Sequence, residues 1–507
     1  MWLYLKENSI TYVHSSTFRN NSSLRELDMS GNHLIYVDLQ TFVSNRELEW
    51  LDLKNNNIFG IHLSTFRNNC KLKHLDMSGN KLTFLDLQTF SSNKKLEWLD
   101  LHNNTITDIH PSTFQNNRKM EHLDLSSNLL KVMHPDTFRH NVNLKFLSVR
   151  NNNILEIKTG FLSGINPTYL DLSGNRIRYL DNSVFRKQGQ LETLLLSGNV
   201  FSSLEPGIFI DCTNLRNLSL SGNRISEIST SLFFGLVNLE HLDLSNNIIE
   251  RLNTIVFHSF STRTNPQVST LKHLNLAQNQ IQFFNFELYF PMSNNFYASY
   301  PTFQLDYLNV SSNRLTTLDV SSVKWLNQTT AVTDLTANPW NCDCSVLLEV
   351  WRGLKHKLTL HCASPRELQG KSWDEMEEFC CEVTEDMNCK SITSSEAVSS
   401  SPEHKDKNEV SVNVGSPSVV TTSLIVTGVL LVCAIGGGIV LVKVVKRRRN
   451  RPNSPEYCDV YAPRVSYVSI QSHAYVSSGS HYVSVQSDTA VGSDSRNEAE
   501  YSYVAVQ

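Results

Sequence analysis

Trp50, His74, Trp98, His122 and Phe146 follow one another at steps of 24 residues, and Tyr169 follows after 23. Two residues after each of the first four stands a carboxylate: Asp52, Asp76, Asp100 and Asp124. Aromatic side chains grouped on a surface serve recognition. Histidine beside aspartate can also perform acid–base chemistry, but only when the groups converge on one reacting atom. Residues 24 apart read instead as rungs of a ladder, and the sequence contains no nucleophile constellation, phosphate loop or metal triad beside them. The expectation is a binding protein, not an enzyme, with no cofactor and no metal. A net charge of −4 offers no electrostatic footprint for nucleic acid.

The elements that position such a ladder follow from the period around it. The frame L-x-x-L-x-L-x-x-N-x-L repeats along the chain, with its asparagine at Asn8, Asn32, Asn56, Asn80, Asn104, Asn128, Asn152, Asn175, Asn199, Asn223, Asn247, Asn279, Asn313 and Asn338. Ten residues after most of them stands a phenylalanine, as at Phe18, Phe42, Phe66, Phe90, Phe114 and Phe138. A period of this length marks a stacked-repeat architecture. At these residues, over Met1 to Trp340, the sequence resembles the extracellular leucine-rich repeats of the Toll, Slit and chaoptin type. The resemblance implies an α/β solenoid, a horseshoe with short parallel strands on its concave face. The physics agrees: L-x-L alternates as a strand does, one coil cannot bury its leucines alone, and stacked coils share a core. The asparagine can bond the backbone of adjacent coils, and the phenylalanine fills the back of the coil.

The residue just before the strand leucine faces solvent, so the column running from Trp2 and Glu26 through Trp50 to Tyr169 and on to Thr193, Asn217, His241, His273 and Tyr307 lines the concave face. Two readings stay open for its tryptophans. They share a 48-residue period with LQTF at Leu39 and Leu87, so duplication of a two-coil unit would copy them without selection; alternatively they form a ligand platform. The aspartate column likewise reads either as solvated filler or as part of that site. Sequons stand at Asn20, Asn21, Asn103, Asn217, Asn309 and Asn327. Sugar on Asn217 and Asn309 would cover the later coils and leave the first seven or eight bare.

Two steps, Asn247 to Asn279 and Asn279 to Asn313, are longer than the rest. The extra segments enter after Phe257 and Tyr289. The aromatic-rich one, Tyr289 to Phe303, is either a second contact site or a self-packed loop.

From Asn338 the composition changes to NPWNCDC, followed by Cys362, Cys380, Cys381 and Cys389. This resembles the cysteine-rich carboxy-terminal cap of extracellular leucine-rich repeat proteins, which covers the apolar end of the last coil. The resemblance implies Cys342 paired with Cys362, and Cys344 with Cys380 or Cys381. Zinc is the alternative for such a cluster, but sequons and a membrane segment favour an oxidising compartment. The surplus, one of Cys380 and Cys381 with Cys389, would close locally or cross-link two chains. Cys70 and Cys212, six coils or about 29 Å apart at strand spacing, cannot bridge each other; each reads as a buried thiol.

The domain reading is therefore repeats over 1–338, about 14 coils with the first incomplete; a cap over 339–389; a stalk over 390–418; a transmembrane helix over 419–442; and a disordered tail over 443–507. The uncharged stretch 419–442 would reach about 36 Å as a helix, enough for a hydrocarbon core of about 30 Å. Lys443, Lys446 and Arg447 to Arg449 mark the cytoplasmic side. Tail tyrosines Tyr457, Tyr467, Tyr482 and Tyr503 each have an aliphatic residue three places later. Around Tyr467 and Tyr482 they resemble inhibitory immunoreceptor motifs, which dock SH2 domains once phosphorylated. The pattern also resembles an endocytic signal read by a clathrin adaptor, and composition without function stays open.

Before Met1 there is neither an apolar signal segment nor an amino-terminal cap, so both are expected upstream. The combined expectation is a type I single-pass receptor of the plasma membrane, binding a protein or glycan and signalling through its tail. Innate immunity fits the resemblance to Toll. The alternatives are a cell-adhesion molecule of the nervous system or epithelium, or a ligand-binding co-receptor, and a homo- or heterodimer stays open.

Overall fold

The computed structural model describes residues 1–253, 255–257, 259–260, 268–291, 302–344, 354, 361–371 and 373–384. The predicted stalk, membrane span, tail tyrosines and Cys389 lie outside these residues. Among the described residues no helix is long and apolar enough to cross a membrane.

Fourteen three-residue strands build one parallel sheet in chain order. They are β1 (Trp2–Tyr4), β2 (Glu26–Asp28), β3 (Trp50–Asp52), β4 (His74–Asp76), β5 (Trp98–Asp100), β6 (His122–Asp124), β7 (Phe146–Ser148), β8 (Tyr169–Asp171), β9 (Thr193–Leu195), β10 (Asn217–Ser219), β11 (His241–Asp243), β12 (His273–Asn275), β13 (Tyr307–Asn309) and β14 (Val332–Asp334). Register follows the repeat, Trp50 opposite His74 and His74 opposite Trp98, so residues of one column stand side by side.

Each strand is short because both of its ends are tied. The central leucines, Leu51, Leu75 and Leu99 among them, are fully buried. After the strand the chain turns away, and the repeat asparagine secures the turn. Asn56 Nδ2 donates to Met29 O in the preceding coil at 3.0 Å and to Leu53 O at 3.0 Å, while its Oδ1 accepts from Leu34 N at 3.0 Å. The residue before that asparagine has a left-handed backbone in most coils, φ +62° at Gly79 and +53° at Asn103, which explains the Ser-Gly-Asn and Asn-Asn pairs there.

Behind the sheet, Phe18, Phe42, Phe66, Phe90, Phe114 and Phe138 form a buried spine with ring centroids 6.2 to 6.4 Å apart. That spacing exceeds the strand separation of about 4.8 Å, so these coils fan outward from the sheet. A second asparagine ladder, absent from the sequence reading, runs beside the spine. Asn45 Nδ2 donates to Phe18 O and Asn21 O at 3.1 and 2.9 Å, and Asn69, Asn93, Asn117 and Asn141 repeat the pattern.

The α/β expectation needs correcting within the repeats. The back of each regular coil is a series of turns, not a helix, because 24 residues shared among strand, asparagine turn and return leave too few for helical turns with their own apolar stripe. Among the described residues, helices longer than one turn of 3-10 stand where the period changes: α1 (Phe286–Tyr289), α2 (Val320–Gln328) and α3 (Trp373–Thr384). The N-caps Asn285 and Asp319 accept from Leu288 N and Ser322 N. Phe286 and Phe290 pack against Trp325, whose Nε1 donates to Phe290 O at 2.7 Å. The described part of the Tyr289 to Phe303 insertion is thus packed on its own neighbours. The remainder, 292–301, lies outside the described residues, as do 261–267 of the other insertion.

The cysteines of the C-terminal region form two bridges among the described residues, Cys342 to Cys362 and Cys344 to Cys380. Cys381 falls in α3. Cys212 is a buried free thiol, its pKa pushed up to about 12 by burial. Cys70 departs from the expected buried thiol: it is only half-buried and is disulfide-bonded.

Candidate functional site

The solvent face of β3 to β8 carries the predicted series, and its rings stack on one another. Centroid separations are 5.3 Å for Trp50–His74, 5.3 Å for His74–Trp98, 3.5 Å for Trp98–His122, 4.2 Å for His122–Phe146 and 4.6 Å for Phe146–Tyr169, with interplanar angles of 25° or less. The parallel register imposes this. Side chains in one column are separated by the strand spacing, close to the distance at which aromatic rings stack. The ring faces inside the ladder are therefore occupied by other rings. What the surface offers is ring edges, with Trp98 the most open at 37% exposure. Each stacked pair contributes about 0.5–1.5 kcal/mol beyond burial, so the ladder also stiffens the sheet that bears it.

The aspartates also have a structural role that the sequence reading did not include. Asp52 and Asp100 are buried, and Asp76 and Asp124 half-buried. Each accepts at Oδ1 from the backbone N–H two residues on: Lys54, Ser78, His102 and Ser126, at 2.8 to 2.9 Å. These turn bonds engage Oδ1 and help to end the strands, leaving Oδ2 outside the turn. Burial pushes the Asp52 carboxyl up to about 6, helped by the charges of Asp76 and Asp28 and opposed by the Lys54 N–H bond and ammonium. The same burial lowers the imidazoles of His74 and His122, which stay neutral at physiological pH.

A cation column missed by the sequence reading borders the aspartates. Lys54, His102 and Arg150 follow at 48-residue steps, each four residues after a ring of the two-coil unit. Lys54 Nζ lies 3.8 Å from Asp52 Oδ2. His102 Nδ1 lies 2.8 Å from Asp100 Oδ1, and that bond raises the imidazole pKa. Among the described residues Asp100, His102 and Asp124 bring ligand atoms within 4.8 Å of one another, a grouping hidden in the sequence because it spans two coils. Beside the strands a charge rail alternates across coils: Arg25–Glu49, Glu49–Lys73 and Glu121–Lys145. Exposed as these pairs are, each contributes little to stability.

Beyond Tyr169 the face changes. Thr193 and Asn217 carry no ring, and a second stack begins at His241, 4.3 Å from His273, with Tyr307 6.2 Å further on. A cavity of about 250 Å³ opens over β9 to β13. The sequons Asn217 and Asn309 line this half of the face, both half-buried and engaged: Asn217 Nδ2 donates to Thr193 Oγ1 at 3.2 Å, and Asn309 Nδ2 to Tyr307 Oη at 3.1 Å. Asn20, Asn103 and Asn327 are exposed, and Asn21 is half-buried.

Comparison with known proteins adds the following. Residues 1–58, 46–106, 94–154, 166–225 and 213–264 match the family model described as leucine rich repeat. Mouse nephrocan is 42% identical over 74 residues, a match spanning 14% of each chain. A leucine-rich repeat protein of Leptospira interrogans superposes with a TM-score of 0.53 at 20% identity, over 71% of this chain and 89% of that one. An internalin, InlF, of Listeria monocytogenes gives 0.50 at 18% identity, over 66% and 86%. At such identities the two structures show a shared fold alone. With the strand sheet, the asparagine ladder and the phenylalanine spine all following the matched period, this chain is a leucine-rich repeat protein.

Proposed function

We propose that this chain is a membrane-anchored receptor that binds a protein or glycan ligand on the open sheet face of its early coils and reports it through its tail tyrosines. The observation that carries the reading is the uninterrupted ladder of six stacked rings from Trp50 to Tyr169, held on a rigid sheet with its edges free. A rigid, pre-stacked aromatic surface loses little conformational entropy on binding. Its action is binding, without catalysis, cofactor or nucleic acid. The apolar stretch 419–442 with its basic flank supports an anchor in the plasma membrane with the repeats outside. Tyr467 and Tyr482 support recruitment of SH2-domain proteins, with a clathrin adaptor as the competing reader of the same residues. The resemblance of the repeats to Toll supports a role in innate immunity.

The test uses cells displaying the full chain. Surface proximity labelling should identify an extracellular partner whose labelling falls at least tenfold in Trp50→Ala/Trp98→Ala, while surface amount is unchanged and the melting temperature moves by less than about 4 °C. Engagement of that partner should place phosphate on Tyr467 and Tyr482. Equal labelling of both variants would return the tryptophans to duplication without selection.

A further inference from the structure

The ring column is interrupted between Tyr169 on β8 and His241 on β11. Those strands are three steps apart, about 14 Å at about 4.8 Å per step, and the two intervening positions hold Thr193 and Asn217. Tyr169 stacks on Phe146 with one face, and its other neighbour in the column has no ring. His241 likewise stacks on His273, with Asn217 on its other side. The ring column thus has a gap two rungs wide, and the cavity of about 250 Å³ starts at its Asn217 side and runs along the sheet past His241 to Tyr307, with Tyr169 outside its lining.

We propose that this gap is a saccharide-binding site that takes the end of a glycan, one sugar ring within the cavity and the next beside it. A sugar ring has an apolar face that lies on an aromatic ring, and a rim of hydroxyls that bond planar amides and carboxylates. Both needs are met here. The lining supplies the Asn217 amide, the Ser219 hydroxyl, the Asp243 carboxylate and the Asn275 amide. The turn bonds from Ser245 N and Ala277 N fall on Oδ1 of Asp243 and Asn275, so they leave Asp243 Oδ2 and Asn275 Nδ2 for a ligand. Leu195 stands where earlier coils carry aspartate, adding an apolar wall at the Tyr169 end. An aromatic peptide side chain would use the ring faces but leave these polar groups buried without partners. This site is separate from the ladder of the early coils.

The experiment takes the full chain in detergent and measures saturation transfer to cellobiose and N,N′-diacetylchitobiose. Transfer to at least one disaccharide is expected, reduced at least tenfold in His241→Ala and in Thr193→Tyr, which places a ring in the gap, and retained in Phe84→Ala, an exposed residue outside both sites. Absence of transfer to both probes, or equal transfer in the two gap variants, would overturn the proposal. So would glycopeptide mass spectrometry finding Asn217 occupied, since the chain's own sugar would then fill the gap. Loss of a partner in the Trp50 and Trp98 variants with unchanged transfer here would separate the two sites.

Discussion

Asp52 shows how much a single residue's surroundings change its meaning. Its Oδ1 is committed to Lys54 N, the side chain is buried, and its carboxyl titrates at about 6 in place of the usual 3.8. A folded-state pKa above the unfolded one contributes stability that is fully present below the unfolded value and is lost as pH rises through 6. Ionised Asp52 is thus a cost at neutral pH. Asp52→Asn keeps an oxygen for Lys54 N and removes the charge, so it should raise the melting temperature at pH 7.5, with the advantage vanishing as pH approaches 4. A melt series across that range checks it, and a lower melting temperature at pH 7.5 would contradict the burial argument. His74 and His122 act in the opposite sense. Their lowered pKa values contribute stability present above 6.5 and lost as pH falls through the folded-state values. Comparison with the wild type at each pH isolates Asp52 from them.

At the scale of the element, the coil is the unit of stability. Each coil binds its neighbours through the same three devices: strand pairing, the turn asparagine and the phenylalanine. Removing one whole coil, residues 73–96, keeps every column in register, and a chain lacking it should still melt cooperatively within about 4 °C of the wild type. Removing only 73–84 displaces leucines from the core and should abolish the cooperative transition in circular dichroism. A folded product from the shorter deletion would show that register is weaker than the ladders imply. The coil was legible in the sequence because Leu, Asn and Phe recur at fixed spacing. Its lack of a helix was not, since turns satisfied by Asn45 and its equivalents leave no periodic apolar signature. That second ladder was nonetheless visible in principle, three residues after each phenylalanine from Phe18 to Phe138.

For the whole molecule, the end of the stack decides how the repeats withstand unfolding. Trp340, Leu368 and Met376 of the C-terminal segment are buried with the core that ends at the last coil, and two bridges hold that segment together. Cys344→Ser, which opens the longer loop of 36 residues in sequence separation, should cost about 2–4 kcal/mol. Hydrogen exchange should then accelerate at β13 and β14 well before β3. Uniform acceleration along all strands would mean that the solenoid unfolds as one unit, with the cap contributing globally.

The sequence by itself determined the period, the coil count, the buried leucines and phenylalanines, and which residues share a column, because a repeat that must stack in register dictates neighbours directly. It also placed Trp50 to Tyr169 on one face. Only the tertiary structure decided how those neighbours use their atoms. Ring faces are consumed by stacking, the Oδ1 atoms of the aspartates by turn bonds, His102 by Asp100, and a gap opens where Thr193 and Asn217 interrupt the rings. Column membership follows from spacing along the chain. Ring orientation, hydrogen-bond partners and cavity shape depend on side-chain rotamers set across coils 24 residues apart, where no local pattern in the sequence records them.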